Sequence, residues 1–219
     1  MKLSYLCTAL YLIILTREED NSMAVEKTRN KLIEVARMLF AKKGIDETTM
    51  NDIALASGKG RRTLYTYFKS KDDIYDAVVQ DELELMAAKM ADVAQQEMDP
   101  EDKLVALIYA HLTAIKDVVQ RNGNIRAEFF RDIWRVSLIR QRFDKNEKIL
   151  LTTVLSEGME KGQFEIDDLS LMVDIIRYSV RGLEVPYIYG RIADGMPKGM
   201  IRGVVHKIIH RSLSKKYNK

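Results

Sequence analysis

The sequence has few of the residues that interrupt helices or cross-link a chain. Its 219 residues include one cysteine and three prolines, and no proline precedes Pro100. A single cysteine excludes an internal disulfide framework and a cysteine-rich zinc site, and it favours a reducing compartment, so we expect a cytoplasmic protein. Because proline breaks helices and β-rich folds need frequent Gly/Pro turns, its scarcity favours long helices.

The sequence also lacks a hydrophobic run of the length that crosses a membrane. The N-terminal run Leu3–Leu15 has thirteen mostly apolar residues, whereas a spanning helix needs about 20. No small-residue cleavage pattern of a signal peptide follows it. We interpret residues 1–22 as an N-terminal extension upstream of a biological start at Met23, with no membrane partner. The alternatives are attachment to a membrane through residues 3–15 and an extra packed helix.

Acidic residues are missing from two parts of a chain whose formal net charge is +3. Residues 57–71 contain five lysines and arginines and no acid, and residues 198–219 contain seven and no acid. The wider segment 27–71 carries eleven basic residues against four acids. Charge segregated in this way indicates a polyanionic partner near the N-terminus.

The hydrophobic periodicity predicts an all-α fold of about nine helices. Leu32, Ile33, Ala36, Leu39 and Phe40 form one stripe of a 3.6-residue period. Capping residues and glycines then separate the later helices. The predicted helices cover roughly residues 25–43, 49–57, 60–67, 70–90, 100–121, 125–140, 144–161, 168–189 and 198–214.

Two of the short helices are separated by Ser57-Gly58-Lys59, which is typical of a helix-turn-helix. On the second helix, Leu64 and Phe68 share one face and are expected in the core. Four side chains lie on or beside the opposite face and have the groups that contact base edges, since arginine binds guanine bidentately and apolar groups meet the thymine methyl. These predicted base-reading residues are Arg61, Arg62, Tyr65 and Thr66.

The segment from Lys27 to Val79 resembles the DNA-binding domain of the TetR/AcrR family of transcriptional regulators. The resemblance rests on Ile53-Ala54, Ser57-Gly58, Thr63-Leu64-Tyr65 and the run from Tyr67 to Lys71. It implies contacts to DNA phosphates from Thr49, Thr63, Tyr67 and Lys71. At Lys59-Gly60 the sequence departs from the family, which more often has an apolar residue and then a capping serine.

The resemblance also implies the domain organisation. Residues 23–70 would form the helix-turn-helix domain, and residues 71–219 a helical ligand-binding and dimerisation domain. The last two helices would pair with those of a second chain as a four-helix bundle, through Leu171, Ile175, Tyr178, Ile201, Val204, Val205 and Ile208. A twofold dimer separates two recognition helices by about 34 Å, which predicts a palindromic operator.

The expected function is that of a DNA-binding transcriptional regulator, a repressor released by an unknown small molecule. By resemblance, the candidate ligand-pocket residues are Tyr109, His111, Phe129, Phe130, Trp134 and Tyr178. No cofactor is expected, and no metal, because His206 and His210 lack a zinc-protease glutamate between them. No Ser-His-Asp or Cys-His set is apparent, so an all-α small-molecule enzyme or carrier is only the alternative.

Overall fold

The computed structural model describes residues 2–121, 133–192 and 198–214. Over these residues the fold is all-α, and the only β pairing is an isolated bridge between Phe164 and Ser214. Eight helices form: α1 (Lys2–Lys43), α2 (Met50–Ser57), α3 (Arg61–Tyr67), α4 (Lys71–Ala94), α5 (Pro100–Arg121), α6 (Ile133–Glu160), α7 (Leu169–Ile188) and α8 (Lys198–Leu213).

Two predicted helix boundaries were wrong. Helix α6 is continuous where a break was expected between residues 140 and 144. That stretch contains no glycine or proline, and burial of Phe143 favours an unbroken helix. Helix α1 begins at Lys2 rather than near residue 25, because no helix-breaking residue separates the two segments. The status of residues 1–22 as an upstream extension stays a prediction.

The chain divides into two compact units, residues 1–78 and 79–219. The predicted boundary at residue 70 precedes α4, whereas the units divide within this helix. The first turns of α4 belong to the N-terminal unit because Ile74 and Tyr75 are buried there. The rings of Tyr75 and Phe40 meet edge to face, with their centroids 6.5 Å apart.

The N-terminal unit follows the predicted pattern of helix starts and stops. The apolar stripe of α1 is buried at Leu32, Ile33, Ala36 and Phe40, and the helix ends at Gly44, whose φ is +86°. Burying a side chain such as Phe40 contributes about 1.5–3 kcal/mol relative to its exposure. The stripe therefore provides the apolar surface on which the short helices pack.

In the C-terminal unit, α5 is the central helix. It packs against α6, α7 and α8, whereas α7 and α8 have little direct contact with each other. Helix α5 begins at Pro100 as predicted. The predicted start of α7 is also confirmed, since the carboxylate of Asp168 accepts a hydrogen bond of 3.0 Å from the backbone N–H of Leu171.

Within the part of the chain that the structure describes, no helix has both the length and the apolar character needed to cross a membrane.

The close approach of Gly158 and Phe164 gives a stability prediction. A Cβ added at Gly158 would overlap the ring of Phe164, which is buried. We expect Gly158→Ala to lower the free energy of unfolding by about 1–3 kcal/mol, because the ring must shift in a packed site. Chemical denaturation of the two proteins measures this difference.

Gly182→Ala is the matched control, since this helical glycine has no neighbour within 4 Å of an added Cβ. Alanine should stabilise α7 here by up to about 1 kcal/mol through its helix propensity. Equal effects of the two substitutions would contradict the packing argument.

Candidate nucleic-acid interface and ligand site

The turn between α2 and α3 depends on Gly58. This residue has a φ of +67°, in the left-handed region that favours glycine. The N–H of Lys59 closes the end of α2 by donating to the carbonyl of Ala54 at 3.1 Å. Gly60 begins α3 without a side-chain cap, in agreement with the departure noted in the sequence. The start of α3 is therefore held by packing rather than by a capping side chain.

Helix α3 presents two different faces, as predicted. Leu64 and Phe68, the residue that ends the helix, are buried in the N-terminal unit. The guanidinium of Arg29 on α1 lies 5.5 Å from the centre of the Phe68 ring, a cation–π contact. These contacts fix the orientation of α3 on α1.

The opposite face of α3 is exposed at Arg61, Arg62, Tyr65 and Thr66. The side chains of Arg61 and Arg62 form no ion pair or hydrogen bond with any residue that the structure describes. Thr66 differs, because its hydroxyl donates to the carbonyl of Arg62 at 3.0 Å, which leaves its methyl group and the accepting lone pairs of the oxygen. Two unpaired guanidinium groups are thus available to a partner.

The predicted phosphate-contacting residues lie in more than one environment. Thr63 and Tyr67 are half-buried beside the exposed face of α3, and Thr49 is exposed at the start of α2. The hydroxyl of Thr49 is engaged in a capping box with Asp52: it donates to the carboxylate at 2.8 Å and accepts from the backbone N–H at 3.1 Å.

The carboxylate of Asp52 already occupies the N-terminus of α2. The pKa of Asp52 is lowered to about 2, first by a hydrogen bond from Lys43 and then by bonds from Thr49. The Lys43 ammonium lies 2.8 Å from the carboxylate. A phosphate at this helix end would therefore meet an ionised carboxylate paired with Lys43 rather than an empty cap.

Lys71 has a contact that the sequence did not indicate. Its ammonium donates to the backbone carbonyls of Ile45 at 2.6 Å and Asp46 at 3.2 Å. It joins the start of α4 to the segment before α2, and one of its three N–H donors remains for a phosphate. Sequence spacing could not reveal this contact, because the two segments are more than twenty residues apart.

The C-terminal unit contains a buried charge network that sequence reasoning also missed. His111 of α5 is 1% exposed, with Nδ1 at 2.5 Å from Glu147 of α6 and Nε2 at 2.9 Å from Glu184 of α7. Arg140 of α6 donates two hydrogen bonds, of 2.9 and 3.2 Å, to Glu184. Arg177 lies 3.6 Å from Glu147. The one sequence signal is that Glu184 shares a helix face with Val173 and Val180.

The network determines the protonation of its members. Burial alone lowers the pKa of His111, but the hydrogen bonds and charges of Glu147 and Glu184 outweigh it and raise the pKa to about 9. Burial raises the pKa of Glu184, whereas the hydrogen bond of His111 and the charge of Arg140 lower it to about 2. His111 is thus a protonated residue between two carboxylates at neutral pH.

An apolar cavity of about 310 Å³ lies between α5, α7 and α8, near the lower end of the usual range for ligand pockets. Leu104, Ile108, Tyr109 and Leu112 of α5 contribute to its wall. The remaining lining residues belong to α7 and α8 or follow α7: Met172, Ile175, Ile176, Ser179, Val180, Leu183, Tyr187, Ile192, Ile201, Val205, Ile208, Ile209, Ser212 and Leu213.

Tyr109 is one of the six predicted pocket residues, and it lines the described cavity. His111 belongs to the charge network instead, because both of its ring nitrogens bond to glutamates. Tyr178 is 64% exposed and does not line the cavity. Phe129 and Phe130 lie outside the described residues, and so does the side chain of Trp134.

His206 and His210 of α8 lie near the start of α5. His206 is within 3.3 Å of both Glu101 and Asp102, and His210 is 3.0 Å from Glu101. Among the side chains that the structure describes, no group of three or more potential ligands is arranged to hold a metal ion. These histidines instead link α8 to α5 by exposed ion-pair contacts.

The charge network gives a pH-dependent prediction. His111→Leu should lower the free energy of unfolding at pH 6 by about 3–5 kcal/mol, because two glutamates lose their common partner. The pKa of His111 in the folded chain, about 9, exceeds the unfolded value near 6.5. Protonation of His111 therefore makes its full contribution to the stability of the folded chain below about pH 6.5. This contribution is lost as the pH rises through about 9.

Unfolding of wild type and variant at pH 6 and pH 9.5 tests this expectation. The difference in stability between them should shrink at the higher pH. His210→Leu is the control, because this histidine is exposed and its ion pair contributes little, about 0–1 kcal/mol. A difference that stayed constant with pH would rule out a protonated His111.

Comparison with known proteins gives a consistent assignment. The sequence model of the family described as bacterial regulatory proteins, tetR family, matches residues 32–78 of this chain. The HTH-type transcriptional repressor KstR2 of Mycobacterium tuberculosis is 30% identical over 159 residues, which cover 70% of this chain and 78% of that protein. The probable acrEF/envCD operon repressor of Escherichia coli K12 is 25% identical over 162 residues, which cover 68% of this chain and 71% of that protein.

Solved structures have the same architecture. The ketosteroid transcriptional regulator KstR2 of Mycobacterium tuberculosis superposes with a TM-score of 0.54 at 26% identity, covering 86% of this chain and 95% of that one. The fatty acid degradation regulator FadR of Bacillus halodurans superposes with a TM-score of 0.61 at 21% identity, and the match covers 83% of this chain and 93% of that one. At this identity the likeness supports the fold alone. The chain belongs to the TetR family of bacterial regulatory proteins and is a DNA-binding transcriptional regulator.

Proposed function

We propose that this regulator is a cytoplasmic repressor that binds a palindromic operator as a homodimer and leaves it when a small molecule binds the C-terminal unit. The observation that supports DNA reading most directly is the exposed face of α3, where Arg61 and Arg62 have no partner among the described residues. Relatives that are named repressors support the direction of regulation. The single cysteine favours the cytoplasm.

Arg61, Arg62, Tyr65 and Thr66 contact bases in this proposal. The arginines donate to guanine O6 and N7, and the Tyr65 ring and Thr66 methyl meet thymine methyl groups. Because the Thr66 hydroxyl donates its proton to Arg62, this side chain offers a base a methyl group or an accepting oxygen rather than a donor.

The phosphates on either side are contacted by Thr63, Tyr67 and the remaining donor of Lys71. Thr49 joins them only when its hydroxyl turns from Asp52 to a phosphate oxygen. Lys59 and Lys69 add positive charge next to α3 without an acid in the same segment. Such contacts position the protein on any DNA sequence and make its binding sensitive to salt.

The direct test is selection of fragments bound by the full chain from the DNA of its own organism. The selected fragments should share an approximate palindrome. Recovery of fragments with no common sequence would contradict the proposal.

Arginine substitutions test the base contacts. Arg61→Ala and Arg62→Ala should each reduce the preference for the selected fragment over unrelated DNA by roughly 5- to 150-fold, because a bidentate base contact is worth about 1–3 kcal/mol. Fluorescence anisotropy at fixed salt measures both affinities. The control is Arg142→Ala, which removes an exposed arginine from α6. An unchanged preference in both α3 variants would refute the assignment.

The proposed homodimer uses an apolar surface on α7 and α8, here called the pairing face. It comprises Leu171, Ile175, Tyr178, Val204 and Ile208, each between 49% and 64% exposed. Large apolar side chains exposed together on neighbouring turns of a helix are typical of protein–protein interfaces. Ile201 and Val205, also predicted for the interface, are half-buried in the cavity wall.

Substitution of Leu171 by aspartate tests the pairing face. The interface would have to bury a carboxylate that has no partner, so we expect Leu171→Asp to weaken dimerisation about a hundredfold or more. Analytical ultracentrifugation at micromolar protein measures the mass. Leu138→Asp is the matched control, since Leu138 is 67% exposed and lies on α6, which contributes no residue to the pairing face. Loss of dimer in both variants, or in neither, would contradict the proposed surface.

Release by a ligand requires that the ligand and DNA prefer different conformations. A ligand that prefers the conformation with misplaced recognition helices weakens DNA binding by the factor by which DNA weakens ligand binding. Titrating the ligand in the presence and absence of the selected fragment measures this reciprocal effect.

A further inference from the structure

The helix-turn-helix lies inside a loop of the chain that one side chain closes. The ammonium of Lys71 donates at 2.6 Å to the backbone carbonyl of Ile45, which lies 26 positions earlier in the sequence, and at 3.2 Å to that of Asp46. Helices α2 and α3 both lie between these contacts. Lys71 therefore joins the segment that enters α2 to the segment that leaves α3.

The segment that enters α2 is an ordered turn. Thr48 is fully buried, and its hydroxyl donates to the carbonyl of Gly44 at 2.7 Å. The backbone N–H of Thr48 donates at 3.1 Å to the carbonyl of Ile45, which therefore accepts from both Thr48 and Lys71. Thr49 follows as the N-cap of α2. The carbonyls that Lys71 holds are thus only a few residues from the start of α2.

The segment that leaves α3 is equally short. Phe68 ends α3 and is buried, and Lys71 begins α4 three residues later. The carboxylate of Asp73 accepts from the backbone N–H of Lys69 at 2.9 Å and from that of Ser70 at 3.2 Å. The Ser70 hydroxyl accepts in return from the N–H of Asp73 at 3.0 Å. This reciprocal cap fixes the position of Lys71 relative to the end of α3.

Helix α3 is too short to hold its own direction. It has seven residues and no side-chain cap at Gly60, and a helix of this length has little stability alone. Its anchors, Leu64 and Phe68, are buried, whereas Arg61 and Arg62 are exposed on the opposite face. A tilt of α3 on its anchors would displace both guanidinium groups, and hydrogen bonds to bases weaken steeply when their angles change.

We propose that Lys71 is a positioning residue for sequence recognition, because its closure of the loop sets the direction in which α3 presents its two arginines to base edges. This role is separate from the phosphate contact of its remaining donor, which acts on any DNA sequence. The inference rests on the proposed base contacts of Arg61 and Arg62. Loss of the closure reduces the preference between sequences, whereas loss of a phosphate contact alone weakens all sequences alike.

Lys71→Met tests this role, since it removes the ammonium and keeps a long, unbranched side chain. Fluorescence anisotropy at several salt concentrations measures the affinity of the full chain for the selected fragment and for unrelated DNA. The preference for the selected fragment should fall about fivefold or more, the smallest effect of losing one bidentate base contact. The slope of log affinity against log salt should fall by up to about 0.9, the value for one phosphate contact.

Lys69→Met is the matched control. Lys69 is exposed, and its side chain forms no ion pair or hydrogen bond with any residue that the structure describes, because its contact to Asp73 uses the backbone N–H. The substitution removes the same charge two residues away without opening the loop. It should weaken binding to both DNAs and leave the preference between them unchanged.

The conservative variant and the ammonium signal give two further measurements. Lys71→Arg should retain more of the preference than Lys71→Met, because a guanidinium can also donate to two carbonyls. In NMR spectra of the DNA-free wild type, the ammonium protons of Lys71 should exchange with water more slowly than those of Lys69, since two of the three donors are engaged. Lys71→Arg assigns this signal by removing it.

Several results would overturn the inference. Wild-type preference in Lys71→Met would leave the residue as a phosphate contact only, and an equal fall in Lys69→Met would attribute the effect to charge. Loss of the helical circular dichroism of Lys71→Met would assign the residue to folding instead, and equal ammonium exchange at the two lysines would exclude the closure. A wild type without any preference would refute the proposed base contacts as well, whereas the other outcomes refute this inference alone.

Discussion

The C-terminal unit depends on one buried interaction, the protonated His111 between Glu147 and Glu184. Each of the three residues comes from a different helix, α5, α6 or α7. Two buried carboxylates repel each other and require a cation between them. The three helices can therefore pack in only a narrow range of registers, because a shift of one turn would leave a charge buried without a partner.

The same interaction keeps the charges of His111, Glu147 and Glu184 among themselves and out of the lining of the neighbouring cavity. Tyr109 and His111 lie two residues apart on α5, so they point to different sides of the helix. The His111 side contains the paired charges, and the Tyr109 side faces the cavity.

The N-terminal unit relies on local rules instead. A capping box, a left-handed glycine and two buried anchors position α3 with little help from buried charge. Close to α2, the ammonium of Lys71 donates to backbone carbonyls, and that of Lys43 pairs with the carboxylate of Asp52. The arginines of α3 keep no such partner among the described residues. This difference separates basic residues that hold the fold from those available to DNA.

The sequence by itself determined the all-α class, the helix-turn-helix and the exposed face of α3. These follow from caps, glycines and the 3.6-residue period, which act over a few residues. Only the tertiary structure decided that His111 joins a charge network and that Lys71 holds two carbonyls. Those contacts join residues 25 to 73 positions apart, and no local pattern encodes which distant groups meet.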